Sequence, residues 1–114
     1  MMKVSQIVET LNANLLVGEE FLDPEIETAC GSDMMSDVLA ASKAKDLLLT
    51  GLVNLQVVRT ADVVDAKCIV FVRSKKPDDT ILALAKARGI IVLATEERMF
   101  EACGKLYQAG LREP

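Results

Sequence analysis

The stretch Cys68-Ile69-Val70-Phe71-Val72 decides how the rest of the chain is read. It is apolar at every position and rich in side chains branched at Cβ. Alternating polar and apolar residues would mark a strand with one wet face. An unbroken apolar run of this length marks a parallel strand covered by helices on both sides. Downstream, Ile90-Ile91-Val92-Leu93 repeats the pattern, and upstream Leu47-Leu48-Leu49 within Asp46 to Thr50 does the same. Helical patterns separate these runs. Ile81, Leu82, Leu84 and Ala85 form one buried stripe, with Pro77 suited to the first helical position, Asp78 and Asp79 complementing the positive end of the dipole, and Gly89 as the stop. Asn54 to Arg59 reads as a short helix, and Thr60 as the cap of a further turn, Ala61 to Val64. Strands alternating with helices give an α/β chain with short right-handed crossovers. The expectation is a single three-layer domain over residues 1–114, a mostly parallel sheet of about five strands flanked by helices.

Working outward to the N-terminus, Val4, Ile7, Val8 and Leu11 fall on one face of a short helix, with Ser5 as a plausible N-cap. Leu15-Leu16-Val17 is a short strand closed by Gly18, and the turn through Glu19 and Glu20 ends at Pro24. Glu25 to Gly31 is predicted as one strand. It runs into the most polar turn of the chain, Cys30-Gly31-Ser32-Asp33-Met34-Met35-Ser36-Asp37-Val38-Leu39. Met35, Val38, Leu39 and Ser42 then continue as a helix to about Lys43. At the other end, Thr95 is expected to cap a last helix whose buried face is Met99, Cys103, Leu106 and Tyr107. Gly110 ends that helix, and Leu111 to Pro114 is expected to fray.

The 114 residues suffice for one compact core and not for two. An apolar share of 51 % is high for so small a domain, and the surplus predicts contact with a partner chain, a homodimer or higher. A net charge of −4 repels nucleic acid and anionic lipid, and the short basic run Arg73-Ser74-Lys75-Lys76 reads as a solvated loop. The 3 cysteines are widely spaced and the chain has no His, so no zinc site of the usual ligand spacing is expected. Cys68 and Cys103 read as small core residues of a reducing compartment. No secretory signal pattern opens the chain, and no apolar run approaches the roughly 20 residues that span a bilayer. These features predict a cytoplasmic protein.

In an open α/β sheet, ligands sit at the carboxyl ends of the strands. Those ends carry Ser32 and Asp33, Thr50 and Gly51, Ser74, and Thr95. With Ser36, Asp37 and Asn54 nearby in sequence, they form a polar rim able to hydrogen-bond a small molecule. Ser, Thr and Asp are also the preferred helix N-caps, so capping explains the same pattern, and it is the first reading for Asp33. Asp33 and Asp37 share a helix face, but two carboxylates with no third ligand nearby do not predict a metal. Neither a GxxxxGK[ST] loop nor a GxGxxG is present, and without His or a Ser/Cys dyad the usual catalytic players are missing. No cofactor and no catalytic residue is assigned.

A larger pattern is visible in Val4-x-x-Ile7-Val8, Val17-Gly18-Glu19-Glu20, Leu22-Asp23, Ser32-Asp33-Met34-Met35-Ser36-Asp37-Val38, Asp46-Leu47-Leu48-Leu49-Thr50 and Phe100-Glu101-Ala102-Cys103-Gly104-Lys105-Leu106-Tyr107. Over about residues 3 to 111 it resembles the DRTGG domain family and, more distantly, the N-terminal domain of HPr kinase/phosphorylase. The family's naming letters are not intact. Asp23 is in place, but Pro24 stands where Arg is typical and Thr28-Ala29 where two glycines are typical. The resemblance implies a regulatory or ligand-sensing module, of a kind found beside CBS domains, in amidotransferase-like and phosphotransacetylase-like proteins, and alone. It implies no kinase activity, because the phosphate loop of HPr kinase lies in a domain with no counterpart here.

Three functional readings follow. The first is a non-enzymatic sensor binding a small molecule, for instance a nucleotide, at the strand ends. The second is a protein–protein interaction or dimerisation module docking on a partner enzyme. The third, an enzyme with unfamiliar catalytic groups, has the least behind it.

Overall fold

The computed structural model describes residues 1–21, 23–40 and 44–114. A sheet of five strands, β2 (Asn14–Val17), β4 (Ala29–Gly31), β5 (Leu47–Thr50), β6 (Cys68–Phe71) and β7 (Ile91–Ala94), runs in the order β2-β7-β6-β5-β4. From β4 to β7 every neighbour is parallel, and β2 closes one edge antiparallel to β7. Each parallel crossover moves one strand in the same direction. Right-handed crossovers therefore place α2 (Met35–Ala40), α3 (Leu55–Val63) and α4 (Asp79–Ala87) together on one face. The other face carries α1 (Val4–Leu11) and α5 (Met99–Gln108), packed on each other. The α/β, three-layer, mostly parallel architecture is thus present.

The apolar runs divide between the layers by strict alternation. Leu47, Leu49, Cys68, Val70, Ile91 and Leu93 join Ile7, Leu11, Ala102 and Leu106 beneath α1 and α5. Leu48, Ile69, Phe71 and Val92 join Val38, Val57, Ala61, Ile81 and Ala85 on the opposite face. Every residue of β5, β6 and β7 is buried, which is why those segments are apolar except for Thr50 at the end of β5.

Several boundaries differ from the sequence reading. The strand expected over Glu25 to Gly31 is two strands in two sheets. β3 (Glu25–Ile26) forms an antiparallel ribbon with β1 (Met2–Lys3), and β4 belongs to the main sheet. Asp46 makes the break. Its Oδ2 accepts from the amides of Glu27 at 2.9 Å and Thr28 at 3.4 Å, while Thr28 Oγ1 accepts from the Asp46 amide at 3.0 Å. A side chain here replaces a ladder partner. The two short helices expected around Thr60 are one, and Thr60 is a buried interior residue of it. Asp78, not a proline, starts α4, accepting from the Ile81 amide at 3.0 Å. The expected extension of α2 through Ser42 to Lys43 lies outside the described residues.

Two expected caps also fail. Ser5 is inside α1. Its amide and hydroxyl donate to the Asp23 carboxylate at 3.1 and 2.6 Å, so a carboxylate from the next loop satisfies the helix end. Thr95 precedes α5 by several residues, and Arg98 holds the cap position. Nor does the tail fray at its start: Leu111 is buried, the Arg112 carbonyl accepts from the Ala29 amide at 3.0 Å, and Arg112 bridges Thr28 in parallel, while Glu113 and Pro114 are exposed. Tyr107, expected on the buried face, is exposed with the Arg112 guanidinium 3.7 Å above its ring.

Candidate functional site

The carboxyl ends of β4, β5, β6 and β7 share one edge of the sheet because the four strands are parallel. Asp33 organises that edge. Its Oδ1 accepts from the Gly51 amide at 2.7 Å and from the Thr50 hydroxyl at 3.1 Å. Its Oδ2 lies 3.6 Å from Arg73 Nη2. Residues following three adjacent strands therefore meet on one carboxylate. Thr50 Oγ1 in turn accepts from the Leu52 amide at 3.1 Å. The Arg73 guanidinium passes over Gly51, where any Cβ would collide with it. Both charged side chains are about half exposed, 45 % for Arg73 and 54 % for Asp33.

Asp33 thus corrects the capping reading: its oxygens serve the neighbouring loop, not the amides of α2. The local bond in its own turn belongs to Ser32, whose hydroxyl accepts from the Met34 amide at 3.0 Å. Ser36 and Asp37 are exposed on α2. Asn54 does cap, accepting from the Val57 amide at 3.2 Å at the start of α3. Thr95 is separated from this group and buried. Its hydroxyl donates to the Leu11 carbonyl at 2.7 Å, one of the orphan acceptors at the end of α1. So the edge brings together Ser32, Asp33, Thr50 and Gly51; Asn54 is committed to its helix and Thr95 to the interior.

Arg73 is the rim residue the sequence reading passed over, having placed it in a solvated basic loop. One signal pointed to it: the apolar run ends at Val72, so Arg73 must leave the sheet at the same edge. Arg73 and Ser74 both hold left-handed backbone, φ 61° and 59°, unusual for residues with side chains. The loop after β6 runs to α4 and the loop after β7 to α5 on the opposite face, the kind of divergence that opens a crevice. Here Arg73 N donates to the Glu97 carbonyl at 2.8 Å and Ser74 N to the Thr95 carbonyl at 3.0 Å, so backbone fills that crevice. The polar surface is displaced by one strand, toward β5 and β4.

Burial pushes the Cys30, Cys68 and Cys103 thiols up, most strongly Cys68, away from the reactive thiolate. Among the described residues no group of His, Cys, Asp or Glu is gathered as a metal site. Nor, among them, is any helix long and apolar enough to cross a membrane. Hollows of about 370 and 350 Å³ lie at the opposite end of the sheet, sharing Phe21 and Ile91.

No curated protein matches the chain. Among solved structures, it is similar to the CBS and DRTGG domains of the regulatory region of Clostridium perfringens pyrophosphatase, complexed with its activator diadenosine tetraphosphate. The TM-score is 0.72 at 19 % identity, over 93 % of this chain and 46 % of that one. The chain therefore spans about half the length of that structure, and the likeness is one of fold. The profile of the DRTGG domain matches residues 6–109, nearly the whole chain, and the protein belongs to the DRTGG domain family.

Proposed function

We propose that this chain is a non-catalytic regulatory module that binds a small molecule, for which a nucleotide is the first candidate, at the carboxyl edge of its sheet. The observation that carries the reading is the meeting of three strand-end loops on Asp33. A half-exposed ion pair at 3.6 Å contributes about 0–1 kcal/mol, so a ligand separates Arg73 from Asp33 at little cost. Arg73 then donates to an anionic group such as a phosphate. Asp33 Oδ2 accepts from a hydroxyl such as that of a ribose, while Oδ1 stays on Gly51 and Thr50. Ser32, Ser36, Asp37 and Thr50 supply further polar groups along the edge, with Asn54 and Thr95 holding its frame. A ligand gripping these loops ties together α2, α3 and α4, through which a change reaches a partner enzyme. The activator bound by the structural neighbour's regulatory region supports a nucleotide as the first probe.

The test is a thermal-shift titration with diadenosine tetraphosphate, ATP, AMP and adenosine. Binding to the native state alone raises stability by RT ln(1 + [L]/Kd), about 2.7 kcal/mol at a hundredfold excess over Kd. A saturable rise with a phosphate-bearing ligand, lost in both Arg73→Ala and Asp33→Ser, is expected. No rise with any of the four, or one that both variants retain, overturns the reading.

A second reading, docking or self-association, is favoured by Phe100 and Tyr107. They are 85 % and 62 % exposed on α5, one heptad apart, and the surface around Gly104 between them is open. Sedimentation equilibrium at tens of micromolar, beside Phe100→Asp, separates the two.

A further inference from the structure

We infer that the hollow between α1, β2 and the loop after Gly18 is a second binding site, selective for a small molecule with a planar apolar body and a cationic end. The site is independent of the rim. Gly18 packs on Ile91 at the start of β7, and the rim lies beyond Ala94 at its other end. The hollow measures about 370 Å³, within the range of about 300–1,000 Å³ usual for small-ligand pockets. Its walls are Val8, Leu15, Phe21 and Ile91. Leu15 is left 43 % exposed there. Gly18 sets the shape: at φ 118° it brings the backbone so close to Ile91 that a Cβ would stand 2.7 Å from Ile91 Cγ1.

The polar groups decide the sign of the ligand. Glu19 and Asp23 line the hollow, and neither Lys nor Arg does, although the Lys3 charge acts on Asp23 from outside it. Each Asp23 oxygen takes one bond from Ser5 and keeps a further acceptor site. The Ser5 hydroxyl bond holds the Asp23 carboxyl below its ordinary value, so the group is anionic throughout the neutral range. Two carboxylates beside an apolar slot repel a phosphate or carboxylate and attract an amidinium or ammonium. The Phe21 ring adds a surface for the same cation. A nucleotide's phosphates are thereby directed to the rim and an aromatic cation to this hollow.

Benzamidine and benzoate, alike in shape and opposite in charge, test the assignment in a ¹H–¹⁵N titration of the whole chain. Benzamidine is expected to give saturable shifts at the amides of Ser5, Gly18, Glu19 and Asp23, with a Kd of about 1 mM. Benzoate is expected to bind about tenfold more weakly. Leu15→Trp, which fills the hollow from an exposed strand position, abolishes the benzamidine shifts. Glu19→Gln, a change at an exposed side chain that leaves the fold intact, weakens them severalfold. Shifts that stay linear in concentration, equal binding of benzoate, or undiminished binding by both natively folded variants overturns the proposal.

Discussion

Asp33 performs with one carboxylate what a run of backbone bonds does elsewhere: it joins the turn after β4 to the turn after β5. Removing both acceptors leaves the buried Gly51 amide without a partner. Asp33→Ala is therefore expected to cost about 1–2 kcal/mol in a urea melt, discounted for the exposure of the side chain. Asp33→Asn keeps an acceptor for Gly51 and stays within about 0.5 kcal/mol of the parent, while losing the pair with Arg73. Equal losses in the two variants would contradict this division between acceptor and charge. Glycine substitutions separate two kinds of crowding. Gly51→Ala meets only the flexible end of Arg73, which swings away, and costs under about 1 kcal/mol. Gly18→Ala meets a buried, branched Ile91 at a left-handed φ, and costs about 2–4 kcal/mol. In sequence these glycines are alike, each closing an apolar strand. What distinguishes them is the neighbour brought across the fold.

At the scale of elements, legibility followed burial. β5, β6 and β7 could be placed because burial on both faces leaves them apolar apart from Thr50 at the end of β5. The segment 25–31 was misread because its alternation is genuine while its hydrogen-bond partners change midway. The agent of that change, Asp46, lies 18 residues from Thr28. The caps expected at Ser5 and Thr95 failed for a related reason. Capping propensity is local, whereas Ser5 is claimed by Asp23 and Thr95 by the Leu11 carbonyl, both distant in sequence. The rim was legible as a list of strand ends but not as a contact set. Arg73 was hidden because its role depends on strand order, which no local pattern encodes. Asp46→Ala is expected to cost about 2 kcal/mol and to speed amide exchange at Glu27 and Thr28 without opening β5 or β6. Uniform exchange acceleration across the sheet would show that the break at 27–28 is not a local device.

For the molecule as a whole, acid offers a reading of how α1 is held. The Ser5 hydroxyl lowers the Asp23 carboxyl below the 3.8 it has when free. The unfolded chain then binds this proton more readily than the folded one. The corresponding stability is fully present above the unfolded value and is lost as the pH falls through the folded one, below about pH 4. Asp23→Asn is expected to flatten the stability curve in that acid window and to leave its neutral-to-basic limb parallel to the parent's. An unchanged acid limb would show that Asp23 does not titrate with folding. Asp23 thus anchors a helix end as well as lining a hollow.

The pairing of Met2 with Ile26 and of Arg112 with Thr28 brings the first and last bridge-paired residues of the described chain to positions two apart on the same segment. A chain that enters and leaves at neighbouring points can be spliced into a surface loop of another protein without prising that loop apart. It can also be rewired: a short Gly/Ser bridge from the last residue to the first, with new ends cut in the exposed Lys75-Lys76 loop, should yield a circular permutant with the same sheet order. The fold is in this sense a cassette whose two ends adjoin.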